Sequence, residues 1–248
     1  MEQTVIVDGK IVSFLYNPWE SNSFFLFLHG RGRRKEDWNR YIDKLKEKKI
    51  WFLALDLPWF WKSQHPWEVW GIEEYSQFVI HCLDKLEITK PVSLVCHSFW
   101  GRIAFYLASH NAERIKQLYL SAPWWVEKTI SPLRQKMYHY AKKIFSIPWL
   151  SSLKKWLIKH IGSSDYITNP AMREILSKVV NQDLRKYFPK ISQKTFLYRW
   201  EKDDQILFWQ INEIKEGIKK LHLKIFPLVS HDVHIEKSDE ILRDMLKE

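Results

Sequence analysis

The stretch that decides the fold is SLVCHSFWGRIAFYLA, from Ser93 to Ala108. An apolar run ends at a histidine and a serine, and the residues that follow repeat apolar side chains at helical spacing. This order predicts a strand, a sharp turn at Ser98 and then a helix, which is how a nucleophilic serine is exposed above a parallel sheet. Trp100 conflicts with that arrangement, because such a turn favours small side chains after the serine.

Strands and helices alternate on both sides of this stretch. Helical patterns separate continuous apolar runs that are typical of strands buried on both faces, namely FFLFLHG (24–30), WFLALDLP (51–58) and IKQLYLSAP (115–123). The N-terminus instead alternates around Asp8-Gly9 and predicts a β-hairpin. The whole pattern predicts an α/β fold in which helices flank a mostly parallel sheet.

The alternation stops at Pro123 and resumes with KTFLYRW, which begins at Lys194. Between them the chain is basic and helical and has no strand pattern. We therefore expect a core made of residues 1–122 and 191–248, and a helical cap formed by residues 123–190. Ligands bind such sheets at the carboxyl ends of the strands, so the cap would lie over those ends.

The charge, hydropathy and cysteine content of the chain argue against several classes of protein. The net charge is +10, but lysine recurs with glutamate at helical spacing, which indicates a solvated surface rather than a nucleic-acid-binding stripe. No apolar run reaches the roughly 18 residues of a membrane span, the N-terminus does not resemble a signal peptide, and Cys82 and Cys96 are too few for a disulfide framework. We expect no nucleic-acid partner, no membrane span and a cytoplasmic location. The sequence predicts nothing about the oligomeric state.

Candidate catalytic side chains follow several of the predicted strands. A serine becomes a nucleophile when a base accepts its proton and an acid orients that base. Ser98 is the candidate nucleophile, the loop EKDDQI offers Asp203 and Asp204 as the acid, and the loop SHDVHIEK offers His231 and His234 as the base. The chain order of serine, aspartate and histidine is the one expected when the serine lies on a strand-to-helix turn of a parallel sheet.

Backbone N–H groups near the serine are candidates for stabilising an oxyanion. The N–H of Phe99 lies at the start of the helix, and the N–H of Arg31 follows the strand that ends in LHG. Cys96 is interpreted as a small residue under the turn rather than as a second nucleophile, because burial raises the pKa of a thiol. Asp56 is interpreted as a structural residue that ends its strand.

Five segments in this order, FLHGRG, LALDLP, VCHSFWGRIA, EKDDQI and SHDVHIEK, resemble the alpha/beta hydrolase family over nearly the whole chain. The resemblance favours Asp203 over Asp204 as the acid and His231 over His234 as the base. It implies hydrolysis of a carboxylic ester or related acyl bond in a small molecule, with no metal and no organic cofactor. Two alternatives remain open: a carbon–carbon bond hydrolase that uses the same triad, and a non-catalytic binding protein whose site Trp100 blocks.

The tryptophans depart from this family pattern in a consistent way. The chain has 14 tryptophans and 7 glycines, whereas average usage gives about 17 glycines in a chain of this length. Several tryptophans lie where a turn or a close approach favours glycine. We hypothesise that the native organism reads a codon such as UGA as glycine and that this codon has been translated here as tryptophan. The positions concerned are Trp51, Trp59, Trp61, Trp100, Trp149 and Trp200.

Overall fold

One eight-stranded sheet organises the chain, as a computed structural model shows for residues 2–19, 21–66, 68–123, 170–180, 182–201, 208–227, 229 and 231–247. The spatial order of the strands is β1-β2-β4-β3-β5-β6-β7-β8. The strands are β1 (Glu2–Val7), β2 (Lys10–Asn17), β3 (Phe24–Leu28), β4 (Trp51–Leu55), β5 (Val92–His97), β6 (Ile115–Ser121), β7 (Lys194–Trp200) and β8 (Leu221–Phe226).

Helices follow most of these strands. They are α1 (Asn39–Glu47), α2 (Ile72–Lys85), α3 (Gly101–His110), α4 (Pro170–Val180), α5 (Phe208–Gly217), α6 (Val233–Glu236) and α7 (Ser238–Met245). Short 3₁₀ turns precede α1 at Lys35–Trp38 and α3 at Ser98–Trp100. In the described part of the chain, no helix is both long enough and apolar enough to cross a bilayer.

The strand directions confirm the predicted α/β class. β1 pairs antiparallel with β2, and β2 pairs antiparallel with β4, whereas all neighbours from β4 across to β8 are parallel. The predicted hairpin is present, with Asp8 at φ 47° and Gly9 at φ 72° in its turn, as a tight two-residue hairpin turn requires. Because the six neighbouring strands from β4 across to β8 are parallel, their carboxyl ends lie along one edge of the sheet.

Side chains of the central strands build a core on each face of the sheet. In β3, Phe24, Leu26 and Leu28 pack in a cluster that includes residues of α2 and α3. Phe25 and Phe27 point the other way, into a cluster with residues of α1 and α7. All five side chains are buried, because a strand covered on both faces has no solvent-facing side.

The predicted cap lies mostly outside the described residues, and its boundaries stay a prediction. The described part of that segment includes α4, which packs Ile175 and Val179 into the core, and a 3₁₀ turn at Arg185–Lys190. The fully buried Arg102 of α3 donates from its guanidinium to the carbonyl oxygens of Val179 (2.7 Å), Val180 (3.3 Å) and Gln182 (3.2 Å). A guanidinium thus satisfies carbonyls at the C-terminal end of α4, where helices leave such groups unpaired.

The backbone at two of the six suspect tryptophans fits the glycine hypothesis. Trp59 has φ 81° and Trp61 has φ 48°, in the left-handed region that large side chains rarely adopt. Trp51, Trp100 and Trp200 do not have positive φ. Their buried indole nitrogens have no hydrogen-bond partner among the described residues, which is costly for a polar group, but the same holds for Trp38, which is not one of the six. Trp149 lies outside the described residues, and the codon hypothesis itself stays a prediction.

Trp61 offers a clean test of this backbone effect because its side chain is exposed. We expect Trp61→Gly to have a higher free energy of unfolding than Trp61→Ala, by about 1 kcal/mol, because alanine keeps a Cβ in the left-handed conformation. Both variants lose the indole contacts with Arg33 and Arg34 equally. Urea unfolding of the two variants measures the difference. An alanine variant as stable as the glycine variant would show that position 61 has no preference for glycine.

Candidate active site

A strained turn after β5 presents Ser98 at the carboxyl edge of the sheet. His97 ends the strand in extended conformation, Ser98 has φ 51°, and α3 begins at Gly101. The helix start approaches the chain closely after β6: a Cβ on Gly101 would lie 2.6 Å from the Cβ of Pro123. A side chain at position 101 would therefore push the turn away from the sheet, so Gly101 provides the small residue that the turn requires.

The Ser98 hydroxyl lies within hydrogen-bond distance of His231, a residue far away in the sequence. Ser98 Oγ and His231 Nε2 are 2.9 Å apart, and both residues are half-buried. His234, the alternative base, is buried and stacks on His97 with ring centroids 3.8 Å apart. Of the two histidines that the sequence offered as the base, His231 is thus the one whose contact with the serine is described.

The other candidate groups are placed less completely. Asp203 and Asp204 lie outside the described residues, so the choice between them as the acid stays a prediction. Phe99 is buried directly after Ser98 in the 3₁₀ turn. Arg31 lies in a turn closed by a hydrogen bond from Arg33 N to Gly30 O (3.1 Å). Both candidate oxyanion donors thus stand in loops at the carboxyl ends of β5 and β3.

Trp100 does not prevent the contact between the serine and the histidine. Its backbone is helical, with φ −83°, and its side chain is fully buried. The indole packs against Phe60, Tyr75 and Phe99, with ring centroids 5.4, 4.6 and 4.7 Å away. The expected crowding of the turn is therefore absorbed by an aromatic cluster beside it.

His29, at the start of the turn that carries Arg31, fixes this turn through two hydrogen bonds. Leu57 N donates to His29 Nε2 (3.2 Å), so the other nitrogen carries the proton, and His29 Nδ1 donates to Gly30 O (2.7 Å). Complete burial lowers the pKa of His29 and keeps the ring neutral. A neutral histidine thereby links the loops that follow β3 and β4.

A buried ion pair completes this support, and it explains the structural role expected of Asp56. Asp56 accepts hydrogen bonds from the backbone N–H of Lys35 (2.9 Å) and from its ammonium group (2.6 Å). The Lys35 ammonium also lies 2.9 Å from a Glu2 carboxylate oxygen. A charge with no solvent contact needs such partners, so Lys35 joins the end of β4, the start of β1 and the 3₁₀ turn before α1.

Two buried histidines lie beside His231: His97, to which the sequence assigned no role, and His234, which the sequence offered as the alternative base. Burial lowers the pKa of His97 well below its ordinary value, and it lowers the pKa of His234 to about 3. The guanidinium of Arg33 acts in the same direction on both rings. Both rings are therefore neutral at physiological pH. In the sequence these two histidines are marked only by their positions, since His97 directly precedes Ser98 and His234 follows His231 by three residues.

His97, Asp232 and His234 form the one cluster of potential metal ligands among the described residues, with ligand atoms within 4.8 Å of one another. The two imidazole planes are stacked, at 26° to each other, so their nitrogen lone pairs do not converge on a common point. Asp232 is also ion-paired with Arg33, whose positive charge opposes a cation. The cluster does not suit a metal ion, which needs convergent ligands.

A further ion pair joins the loops on either side of Ser98, and no motif in the sequence predicted it. Arg33, in the turn after β3, pairs with Asp232, the residue after His231. Next to this pair, His97 Nε2 lies 3.2 Å from the backbone oxygen of His231. Folding brings the carboxylate of Asp232 from 199 residues away within reach of Arg33.

Comparison with known proteins agrees with this architecture. The family profile of the alpha/beta hydrolase fold matches residues 24–238, so the chain belongs to the alpha/beta hydrolase family. It is 23% identical over 242 residues to the AB hydrolase superfamily protein YisY of Bacillus subtilis, with 87% of each chain covered. It is 33% identical over 112 residues to a putative esterase/lipase of Mycoplasma pneumoniae, covering 44% of this chain and 41% of that protein.

Solved structures share the fold at low sequence identity. A membrane phospholipase A described as a bacterial virulence factor superposes with a TM-score of 0.77 at 21% identity, covering 98% of this chain and 84% of that one. The enol-lactonase from Burkholderia xenovorans superposes with a TM-score of 0.74 at 18% identity, covering 99% and 100%. These likenesses agree with the alpha/beta hydrolase fold.

The buried histidines predict that stability falls in acid. An unfolded histidine binds a proton below pH 6.5, whereas His234 in the folded protein does so only near pH 3, so protons favour the unfolded chain between these values. We expect the free energy of unfolding to fall from pH 7 to pH 5, and His234→Phe to reduce that fall by about 1–2 kcal/mol. Urea unfolding at both pH values measures the change.

His110→Phe is the control for this experiment, because His110 is an exposed histidine. The control variant should show the same loss of stability between pH 7 and pH 5 as the unsubstituted protein. An equal loss in His234→Phe would contradict the assignment of a neutral, buried His234.

Proposed function

We propose that the protein is a serine hydrolase that cleaves a carboxylic ester or related acyl bond with a Ser98–His231–Asp203 triad. The observation that carries the proposal is the 2.9 Å separation of Ser98 Oγ and His231 Nε2, at the carboxyl edge of a parallel sheet. A serine hydroxyl is a weak nucleophile unless a base in hydrogen-bond contact removes its proton. Family membership and the similarity to a putative esterase/lipase support the same chemistry.

In the proposed reaction, His231 Nε2 accepts the Ser98 proton while Oγ attacks the substrate carbonyl carbon. The resulting oxyanion receives hydrogen bonds from the N–H groups of Phe99 and Arg31. His231 then donates the proton to the leaving alcohol, which departs and leaves an acyl group on Ser98. Water, deprotonated by His231, attacks the acyl carbon and releases the acid, and Ser98 regains its proton. Asp203 holds the imidazole and stabilises its protonated form.

The positive φ of Ser98 supports this role, because functional residues are over-represented among non-glycine residues in strained conformations. The binding-protein alternative is weaker, since Trp100 is packed into the core and the contact between Ser98 and His231 persists beside it. The carbon–carbon hydrolase alternative uses the same side chains, and no described contact favours it.

Labelling with a fluorophosphonate probe tests the nucleophile. We expect the unsubstituted protein to be labelled and Ser98→Ala to lose both labelling and hydrolysis of p-nitrophenyl esters, by at least about 10³-fold. Ser109→Ala is the matched control, because Ser109 lies on α3 away from the turn, and it should behave like the unsubstituted protein. Absence of labelling in the folded, unsubstituted protein would refute the proposal. Labelling without hydrolysis of any ester, at any acyl chain length, would remove only the ester assignment.

The neighbouring aspartates provide a matched pair for testing the acid. We expect Asp203→Asn to lower kcat for ester hydrolysis by about 10⁴-fold, because an amide leaves the histidine in the wrong tautomer. Asp204→Asn, one residue further along the same loop, should keep kcat within a few fold. Steady-state kinetics of both variants separates the two. The opposite ranking would move the acid to Asp204 and leave the rest of the proposal unchanged.

A further inference from the structure

We propose that Arg33, Asp232 and His97 form a strap that positions the candidate oxyanion turn against the loop that carries the candidate base. The strap consists of the ion pair between Arg33 and Asp232 and the hydrogen bond from His97 to the backbone of His231. All three are positioning residues, because each acts through a neighbour rather than on the substrate. The expected effect of the strap on the rate of catalysis rests on the proposed function. Its expected effect on the position of the Arg31 turn does not.

The first half of the strap begins in the turn that holds Arg31. The hydrogen bond from Arg33 N to Gly30 O closes this turn, and Gly32 within it has φ 68°. Only Gly32 separates the backbone of Arg33 from that of Arg31 in this closed turn, so a shift of one reorients the N–H of the other. The Arg33 side chain crosses to Asp232, which adjoins His231. The ion pair therefore joins the backbone on both sides of the reacting serine.

The second half of the strap runs through His97. A carbonyl oxygen can only accept, so His97 Nε2 carries the proton and donates to the backbone oxygen of His231 (3.2 Å). The opposite nitrogen, Nδ1, faces Gly30 so closely that a Cβ there would lie 2.4 Å from it. His97 thus separates the turn at Gly30 from the His231 loop by the width of one imidazole ring. His97 is the last residue of β5 and directly precedes Ser98. The strand that carries the candidate nucleophile therefore also fixes the distance between the Gly30 turn and the His231 loop.

A contribution to folding stability does not explain the ion pair between Arg33 and Asp232, whereas a role in positioning the two loops does. Arg33 and Asp232 are about one third exposed, with relative side-chain accessibilities of 37% and 31%, and ion pairs of this kind contribute little to folding. Their value lies in geometry, because catalytic groups displaced by about 1 Å lose roughly 100-fold in rate. The strap should therefore affect catalysis much more than stability.

A second arginine–aspartate pair provides an internal control. Arg40 and Asp239 are 2.6 Å apart and join the same two regions of the chain, with the same separation of 199 residues. Their side chains are more exposed, at 61% and 65%, and they connect α1 to α7 rather than two catalytic loops. Removing this pair removes the same charges without touching the strap.

The experiment is a double-mutant cycle with Arg33→Gln, Asp232→Asn and the double variant. We expect each single variant to lower kcat for ester hydrolysis, and the rate of fluorophosphonate labelling, by about 10- to 100-fold, with KM within about two-fold and melting temperature nearly unchanged. The double variant should be no slower than the slower single variant, because both remove one interaction. Arg33→Lys should recover part of the rate, and Arg40→Gln with Asp239→Asn should match the unsubstituted protein.

Hydrogen exchange, read by mass spectrometry, tests the strap without reference to catalysis. Asp232→Asn should speed amide exchange in the peptide that contains Arg31, on the far side of the ion pair, whereas Asp239→Asn should not. If exchange in that peptide is unchanged, or if the single effects on kcat multiply in the double variant, the strap is overturned. An unsubstituted protein that the probe does not label would instead refute the proposed function. The exchange result would still decide whether the strap exists.

Discussion

The left-handed backbone of Ser98, at φ 51°, is the constraint on which the functional edge of the molecule depends. The left-handed conformation is unfavourable by about 1–2 kcal/mol for a residue with a Cβ, so the surrounding structure has to hold Ser98 there. β5 on one side is buried along its whole length, and α3 on the other begins against Pro123. Between these two fixed elements the chain has room for only one sharp turn, and that turn lifts the serine hydroxyl above the sheet.

Much of this arrangement could be predicted from local patterns. The apolar runs of β3 and β5 predicted the positions of these strands to within two residues, and the hairpin at Asp8 followed from a turn dipeptide whose backbone preference is strong. Motif order brought Ser98 and His231 together in the prediction, because parallel strands place their carboxyl ends along one edge. The strand and hairpin predictions succeed because each depends on periodicity or on a residue's own backbone preference.

The contacts between loops could not be predicted in the same way. Lys35 pairs with Asp56, and Arg33 with Asp232, only after separate segments have folded against each other. In the sequence each of these side chains is one of many charges, and nothing local distinguishes a buried lysine from a solvated one. The stacking of His97 on His234 is likewise a product of tertiary packing. Trp100 shows the same limit, since an aromatic cluster absorbs a side chain that the turn motif alone would reject.

Arg102 has a consequence for how this fold can diversify. Its buried guanidinium binds three carbonyl oxygens where the predicted cap leads back to the core, and it stands on the helix that follows the Ser98 turn. Carbonyl oxygens belong to the backbone and are the same whatever side chains surround them. An insertion of different length or composition can therefore be exchanged into this position, provided that it ends in a helical turn of the same orientation. Because this contact does not depend on the side chains of the predicted cap, the cap can vary in sequence while the sheet and its flanking helices stay unchanged.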